Sequence, residues 1–231
     1  MFAASSLTDA MNEAAAEFRK ANPGIAVTFS FASSSALRTQ IAEGAKADVF
    51  ASADESNMAQ AASAGVIDGT PTIFARNSLA LVVPSSNAKV ASMNDLVKAD
   101  IKLVLAATGV PVRTYTEQVL AKAAGDPKYG PEYPAKVKAN LASEAQNVRQ
   151  AVTQVKLGQA DVTVAYITDV AGTNGRGVRA IPVPEQYNVV AAYPIAPVKG
   201  STNSAAARAF IAFLTSPKGQ TVLQKYGFAS P

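Results

Sequence analysis

Two serine-rich clusters are the residues of this chain best suited to chemistry, because each lies where an apolar run gives way to a helical pattern. The first contains Ser5 and Ser6, and the second contains Ser33, Ser34 and Ser35. The first turn of a helix has backbone N–H groups without intrahelical partners and the positive end of the helix dipole. Serine hydroxyls added there form a compact set of neutral donors of the kind that binds a small anion. One such cluster is ordinary helix capping, whereas two that face each other would form an anion site.

The composition excludes most metal and catalytic chemistry. Among the 231 residues there is no His, Cys or Trp, so zinc sites, haem or iron–sulfur centres held by His or Cys, and Ser-His-Asp triads lack a necessary residue. The net charge is +4, but the 21 Lys and Arg residues are spread along the chain, so we expect no nucleic-acid partner. The apolar stretches are much shorter than the roughly 20 residues that cross a bilayer, so we expect no membrane insertion.

Apolar, β-branched runs alternate with amphipathic helical segments, and this alternation predicts an α/β protein with largely parallel sheets. Ser92 and Asp95 resemble a capping box, and the segment 125–134 is dense in turn-forming residues, which predicts an irregular loop. The predicted strands cover residues 2–4, 25–31, 48–51, 79–84, 101–107, 162–167 and 188–198. The predicted helices cover residues 7–20, 34–43 and 55–64, a segment ending near 124, and residues 147–158, 203–215 and 217–226.

A family resemblance rests on five segments, which are FAASSLTDAM, FASSSALRTQIAEGAKADVFASAD, GVPVRTY, NVRQAVTQVKLGQADVTVAYITDV and AFIAFLTSPKGQTVLQKYGF. In the same order, they resemble segments of the periplasmic molybdate-binding proteins of molybdate ABC transporters, over nearly the whole chain. The ADVFASAD and SPKGQTVLQKYGF pieces alone indicate only the wider class of type II solute-binding proteins. The serine pair and Tyr166 narrow the resemblance to the proteins of that class that bind tetrahedral oxyanions.

The resemblance implies an α/β, two-lobed type II periplasmic-binding-protein fold with a ligand cleft between the lobes. Lobe I would comprise residues 1–82 and 195–231, and lobe II residues 83–194, with the strands at 79–84 and 188–198 as the crossing segments. The resemblance also implies a monomeric binding protein, not an enzyme, that takes molybdate or tungstate without a cofactor and delivers it to an ABC permease. Its location would be periplasmic or extracytoplasmic. No signal-peptide pattern follows Met1, and the short first strand suggests that an upstream export sequence has been removed.

Five ligand residues follow from the resemblance. Ser6 and Ser34 would each bind the oxyanion through the hydroxyl and the backbone N–H, Val112 and Val148 through the backbone N–H, and Tyr166 through its hydroxyl. Four of these positions lie at or just before a predicted helix start, where the dipole favours negative charge. All the donors are neutral, and a protonated oxyanion would find no acceptor for its O–H. We therefore expect molybdate and tungstate to be preferred over phosphate, while sulfate can be rejected only by size.

Two features depart from the family pattern. Val112 and Arg113 follow the loop proline where some members of the family have Ala-Gly, and the insertion around 125–134 lengthens the link to the next motif. A backbone donor tolerates the first change, but Arg113 introduces a cation that can alter the shape of the loop. We interpret Arg113 and Arg149 as solvated residues on helix faces rather than as anion clamps.

Each motif taken alone also has a purely structural interpretation. The serine clusters and Asn147-Val148 are typical helix caps, and a tyrosine at position 166 is typical of a core strand. Four carboxylates are more typical of capping or hinge groups than of a catalytic pair, and they are Asp48, Asp54, Asp161 and Asp169. The alternative functions are binding of another tetrahedral oxyanion such as sulfate, an enzyme built on the same fold, and an effector-binding regulatory domain.

Overall fold

The predicted alternation of apolar runs and helical segments is present in the structure, a computed structural model that describes residues 1–86, 89–172 and 174–231. The strands in this range are β1 (Phe2–Ala4), β2 (Ser30–Ala32), β3 (Val49–Ala51), β4 (Thr72–Asn77), β5 (Leu79–Pro84), β6 (Leu103–Ala106), β7 (Leu141–Ala145), β8 (Val162–Tyr166), β9 (Val178–Pro182) and β10 (Ala191–Pro197). The α-helices are α1 (Thr8–Ala21), α2 (Ser34–Ala42), α3 (Glu55–Ser63), α4 (Pro111–Ala124), α5 (Tyr133–Ala139), α6 (Val148–Lys156), α7 (Ser204–Thr215) and α8 (Pro217–Lys225). Short 3₁₀ helices cover Ser5–Leu7, Met93–Val97 and Ile167–Val170.

The strands of the described chain form two five-stranded sheets, with the orders β2-β1-β3-β10-β4 and β7-β6-β8-β5-β9. In the first sheet β1 pairs in parallel with β2 and β3, and in the second β6 pairs in parallel with β7 and β8. β10 runs antiparallel to β3 and β4, and β5 runs antiparallel to β8 and β9. The sheets are therefore mixed. Within the described residues, four strands of each sheet run in the same direction and one runs in the opposite direction, β10 in the first sheet and β5 in the second.

The chain folds into two units, which are Met1–Asn77 with Ala191–Pro231, and Ser78–Val190. Each unit holds one of the two sheets. The predicted boundaries at 82/83 and 194/195 fall inside β5 and β10, and the structure moves them to 77/78 and 190/191. The reason is that the hydrogen-bond ladder holds a strand in one sheet along its whole length. β5 and β10 are the strands that the chain enters directly after each crossing.

Some elements differ from the sequence prediction. β2 covers only the end of the predicted strand 25–31, because β1 begins opposite it, with Phe2 paired to Ser30. The predicted loop 125–134 runs into α5, which has Pro134 in its first turn, where proline removes no intrahelical hydrogen bond. β4, β7 and β9 lie outside the predicted strands. β7, for example, has the short and mostly exposed sequence LASEA, which lacks an apolar run.

Apolar side chains from the strands and from the inward faces of the helices form the buried cores. In the first unit Leu37, Phe50 and Met58 belong to one packed cluster, and burial of each such side chain stabilises the fold by about 1.5–3 kcal/mol. In the second unit Leu79 and Leu103 are equally buried. These cores hold the strand ends and helix starts in place. Within the described ranges, the helices are too short or too polar to cross a membrane.

Candidate functional site

In the first unit, the carboxyl ends of β1, β2 and β3 lie at the same edge of the sheet, because these three strands are parallel. The chain leaves this edge into the 3₁₀ helix at Ser6, into α2 at Ser34 and into α3 through Asp54. β2 and β3 flank β1 on opposite sides, so the strand order reverses here. Open α/β sheets bind ligands at such a reversal, outside the carboxyl ends of the strands.

Ser34 is the first residue of α2, and its side chain is buried. Its hydroxyl oxygen accepts a hydrogen bond of 2.9 Å from the backbone N–H of Ala53, just after β3. The helix is capped by the preceding residue, since the Ser33 hydroxyl accepts from the N–H of Ala36 at 3.3 Å. The Ser34 hydroxyl is therefore not needed for capping, and its oxygen already accepts a bond. Its proton remains as a donor at the edge of the sheet.

Ser6 lies in the middle of the 3₁₀ helix between β1 and α1 and is half-buried. Its hydroxyl is 3.1 Å from the hydroxyl of Tyr193 in β10, and that tyrosine oxygen accepts a bond of 3.3 Å from the amide Nδ2 of Asn77 at the end of β4. Neither Tyr193 nor Asn77 was among the sequence candidates. The one signal that could have indicated Asn77 is its position as a short polar residue two positions before the apolar strand predicted at 79–84.

Asp54 is an acidic residue at this edge, and its role is structural. Its carboxylate accepts from the backbone N–H of Asn57 at 3.3 Å and from the hydroxyl of Ser52 at 3.0 Å, so it caps α3. Burial raises the pKa of this carboxyl above its ordinary value, although the hydrogen bonds from Asn57 and Ser52 oppose that rise. This arrangement confirms the capping interpretation of Asp54.

The second unit repeats the arrangement of the first. β6, β7 and β8 are parallel, so their carboxyl ends lie at one edge, with β7 and β8 on opposite sides of β6. The chain leaves this edge into α4 after β6 and into α6 after β7, and Tyr166 is the last residue of β8. The three sequence candidates Val112, Val148 and Tyr166 are thus at one edge of one sheet.

Val112 and Val148 present backbone donors at helix N-termini. Val112 is the second residue of α4, after Pro111, and the next N–H groups, those of Arg113 and Thr114, both donate to the Val110 carbonyl. Val148 is the first residue of α6, behind a cap in which the Asn147 side chain accepts from the N–H of Gln150. Both valine side chains are buried. Their anchoring holds the first turns in place, where N–H groups point away from the helix.

Tyr166 is buried, including its hydroxyl oxygen, and its ring makes an edge contact with Tyr115 at a centroid distance of 6.5 Å. Its backbone N–H donates to the Asp169 carboxylate at 3.0 Å. Asp169 thus anchors the turn after β8, which confirms its interpretation as a capping group. The burial of Tyr166 is compatible with both predictions made for it, a core tyrosine and a ligand residue. Its position at the end of β8 is the one expected of a ligand residue.

Arg113 is not the solvated residue that we predicted. It is 7% exposed, and its guanidinium donates to the Ala106 carbonyl at 3.1 Å, to Glu144 at 2.7 Å and to Glu117 at 3.1 Å. The planar guanidinium can serve three acceptors at once, which compensates the cost of its burial. Arg113 therefore fastens the start of α4 to the ends of β6 and β7, and its charge is balanced by carboxylates rather than left for an anion.

Comparison with known proteins identifies the family. Residues 1–229 match the profile of the family described as bacterial extracellular solute-binding protein. The chain is 35% identical over 232 residues to the molybdate-binding protein ModA of Mycobacterium tuberculosis strain H37Rv, covering all of this chain and 84% of that protein. The chain belongs to the bacterial extracellular solute-binding protein family.

Solved structures agree on the fold. The periplasmic molybdate-binding protein of Azotobacter vinelandii superimposes with a TM-score of 0.85 at 21% identity, covering 100% of this chain and 98% of that one. The sulfate-binding protein SubI of Mycobacterium tuberculosis also has a TM-score of 0.85, at 20% identity, covering 99% and 85% of the two chains. The predicted type II periplasmic-binding-protein fold is confirmed, as is the prediction of an extracytoplasmic binding protein rather than an enzyme.

Proposed function

We propose that this solute-binding protein captures molybdate, and also tungstate, in the periplasm or an equivalent extracytoplasmic space and delivers it to an ABC permease as a monomer. The observation that carries the proposal is the engagement of the Ser34 oxygen by the Ala53 N–H. That bond leaves the Ser34 hydroxyl as a donor at the carboxyl edge of a parallel sheet. The relative named as a molybdate-binding protein, 35% identical over its match to the whole chain, supports the choice of oxyanion.

The proposed donors are those expected from the sequence. They are the hydroxyl and N–H of Ser6 and of Ser34, the N–H of Val112 and of Val148, and the Tyr166 hydroxyl. Hydrogen bonds from neutral donors to an ion contribute about 1.5–3 kcal/mol each, so several together sustain tight binding after the costs of association. Three helix N-termini, those of α2, α4 and α6, add a favourable dipole for the negative charge. We propose that all of these donors bind the same anion.

A set of donors without acceptors discriminates by protonation. Phosphate at neutral pH carries an O–H group that would be buried without an acceptor, which is costly. Molybdate, tungstate and sulfate are fully deprotonated and escape this penalty. Arg113, which follows Val112 in the sequence, does not change this expectation, because it is paired with Glu117 and Glu144.

Sulfate is the second candidate ligand, and the structure comparison is the reason to retain it. The fold is as similar to a sulfate-binding protein as to a molybdate-binding one, with equal TM-scores of 0.85. Fold similarity therefore does not distinguish the two ions, which differ mainly in size. The sequence relative favours molybdate.

The test is isothermal titration of the purified protein with molybdate, tungstate, sulfate and phosphate, followed by competition between pairs of these ions at pH 7. We expect molybdate and tungstate to bind most tightly and phosphate to bind about 30–150-fold more weakly, since one unpaired buried O–H costs about 2–3 kcal/mol. Phosphate that binds as tightly as molybdate would exclude a donor-only site. Sulfate that displaces molybdate at equal concentration would assign the protein to sulfate instead.

A further inference from the structure

A chain of hydrogen bonds in the first unit connects a buried amide to the Ser6 hydroxyl. Asn77 and Tyr193 are 4% and 0% exposed, and they meet because β10 pairs with β4, with Ala191 opposite Asn77. The Asn77 amide Nδ2 lies 3.3 Å from the Tyr193 hydroxyl oxygen, which lies 3.1 Å from Ser6 Oγ. The Ser6 position therefore receives a side chain from the far end of the sequence.

The donor and acceptor in each of these hydrogen bonds follow from the chemistry of the Asn77 amide. An amide nitrogen can only donate, so the Tyr193 oxygen accepts from Asn77, and the phenol has a single proton to give. We propose that Tyr193 donates this proton to Ser6 Oγ and is thereby the positioning residue that keeps the Ser6 hydroxyl as a donor toward the bound anion. This inference rests on the proposed function, because it describes how one of the proposed donors is oriented.

The comparison with Ser34 shows why Tyr193 matters for selectivity. The Ser34 oxygen accepts from a backbone N–H, that of Ala53, which no substitution except proline removes. The Ser6 oxygen accepts from a side chain, so its role as a donor depends on one hydroxyl. Without that hydroxyl, Ser6 could rotate and accept a proton from the ligand. Tyr193 thus controls whether the site excludes oxyanions that carry an O–H group.

The experiment is titration of the full chain and of Tyr193→Phe with molybdate and with phosphate at pH 7. The substitution removes the hydroxyl and keeps the ring, which packs edge-on against Phe228 at 5.5 Å and Phe74 at 6.5 Å. We expect molybdate to bind about 5–10-fold more weakly, as for loss of one ordered hydrogen bond. We expect phosphate to bind no more weakly than to the original chain. The ratio of molybdate to phosphate affinity should therefore fall, whereas the loss of one bond to every anion would leave this ratio unchanged.

Two controls separate positioning from general damage. Tyr226→Phe removes a tyrosine hydroxyl of the same unit that is bonded to Glu13, and the ratio of molybdate to phosphate affinity should not change. In a Ser6→Ala background, Tyr193→Phe should have no further effect on either anion, because its action passes through Ser6. Equal weakening of both anions, or an undiminished effect in the Ser6→Ala background, would overturn the proposal.

A second variant keeps the test valid should Tyr193→Phe fail to fold. Asn77→Asp places an acceptor where the amide donates, so the Tyr193 proton turns toward the carboxylate and away from Ser6. The expected result is again a reduced preference for molybdate over phosphate, now with the tyrosine ring and hydroxyl intact. An unchanged ratio would refute the proposal. Absence of molybdate binding in the unsubstituted chain would refute the proposed function itself, which is a separate result.

Discussion

The backbone N–H of Ala53 donates to the hydroxyl oxygen of Ser34 at 2.9 Å, which ties the start of α2 to the end of β3. This bond gives the serine two functions, since its oxygen satisfies a buried N–H while its proton stays available. Both functions can be measured by substituting a single side chain.

We expect Ser34→Ala to weaken molybdate binding by about tenfold or more, because one hydrogen bond to an ion contributes about 1.5–3 kcal/mol. The free energy of unfolding should also fall by about 1–3 kcal/mol, since the buried Ala53 N–H loses its acceptor. Calorimetry and urea denaturation measure the two effects. Ser35→Ala is the matched control, one residue further along α2, and it should change both quantities by much less. Equal effects of the two substitutions would show that Ser34 has no special role.

Tyr166→Phe should lower molybdate affinity about 5–30-fold, as expected for loss of about 1–2 kcal/mol of hydrogen bonding to an anion. The fold should stay intact, because the ring and its edge contact with Tyr115 are kept. Titration calorimetry, with circular dichroism to confirm folding, tests this expectation. Tyr129→Phe changes a half-buried tyrosine in the segment 125–134 and serves as the control. Unchanged binding by Tyr166→Phe would remove Tyr166 from the site and leave it as a core residue.

Arg113→Lys tests the role of the buried guanidinium. A lysine ammonium cannot reach Ala106, Glu144 and Glu117 together, so we expect the free energy of unfolding to fall by about 1–2 kcal/mol. Molybdate affinity should fall as well, because the N–H of the adjacent Val112 loses its fixed position. Lys138→Met removes an exposed cation that is 3.3 Å from the same Glu117, and it should change stability by less than about 0.5 kcal/mol. Affinity that survives Arg113→Lys unchanged would contradict the link between Arg113 and Val112.

The lowered pKa of the Asp95 carboxyl group leads us to expect that the stability of the second unit depends on pH. Its carboxylate pairs with Lys98 and accepts the N–H groups of Ala91 and Ser92, and these bonds lower its pKa to about 2. Because this pKa is below the ordinary value of 3.8, the ionised group stabilises the folded state at neutral pH. That contribution is lost as the pH falls from about 4 toward 2.

We therefore expect Asp95→Asn to lower the free energy of unfolding by about 0.5–1 kcal/mol at pH 7, with a difference that disappears toward pH 2. Urea denaturation of both proteins at a series of pH values measures it. Asp68→Asn alters an ion pair with Arg208 in which both side chains are largely exposed, so its effect should be within about 0.5 kcal/mol. A difference for Asp95→Asn that is constant with pH would contradict the lowered pKa.

Local features of the structure could be predicted from the sequence, because they depend on residues a few positions apart. The helix starts at Ser34 and Val148 lie within one residue of their predicted positions. The capping box formed by Ser92 and Asp95 is present as predicted. Such signals are reliable since a cap and the N–H that it satisfies are three residues apart or fewer.

Other features required the fold. β2 begins at Ser30, later than predicted, because the length of a strand depends on its partner and the partner strand β1 begins at Phe2. The burial of Arg113, which is in α4, depends on Glu144, which lies 31 residues away in sequence, in β7. The predicted unit boundaries cut two strands because an apolar run does not show where a ladder begins.

The sequence by itself determined which residues could offer neutral donors, since hydroxyls and helix starts are local properties. The sequence did not determine which side chains contact those donors and orient them. Tyr193 is 187 residues from Ser6, and only the order of strands in the sheet brings the two hydroxyls together. The physical reason is that strand pairing and burial bring together residues that are far apart in the sequence. The orientation of a donor hydroxyl depends on the groups that this pairing places next to it.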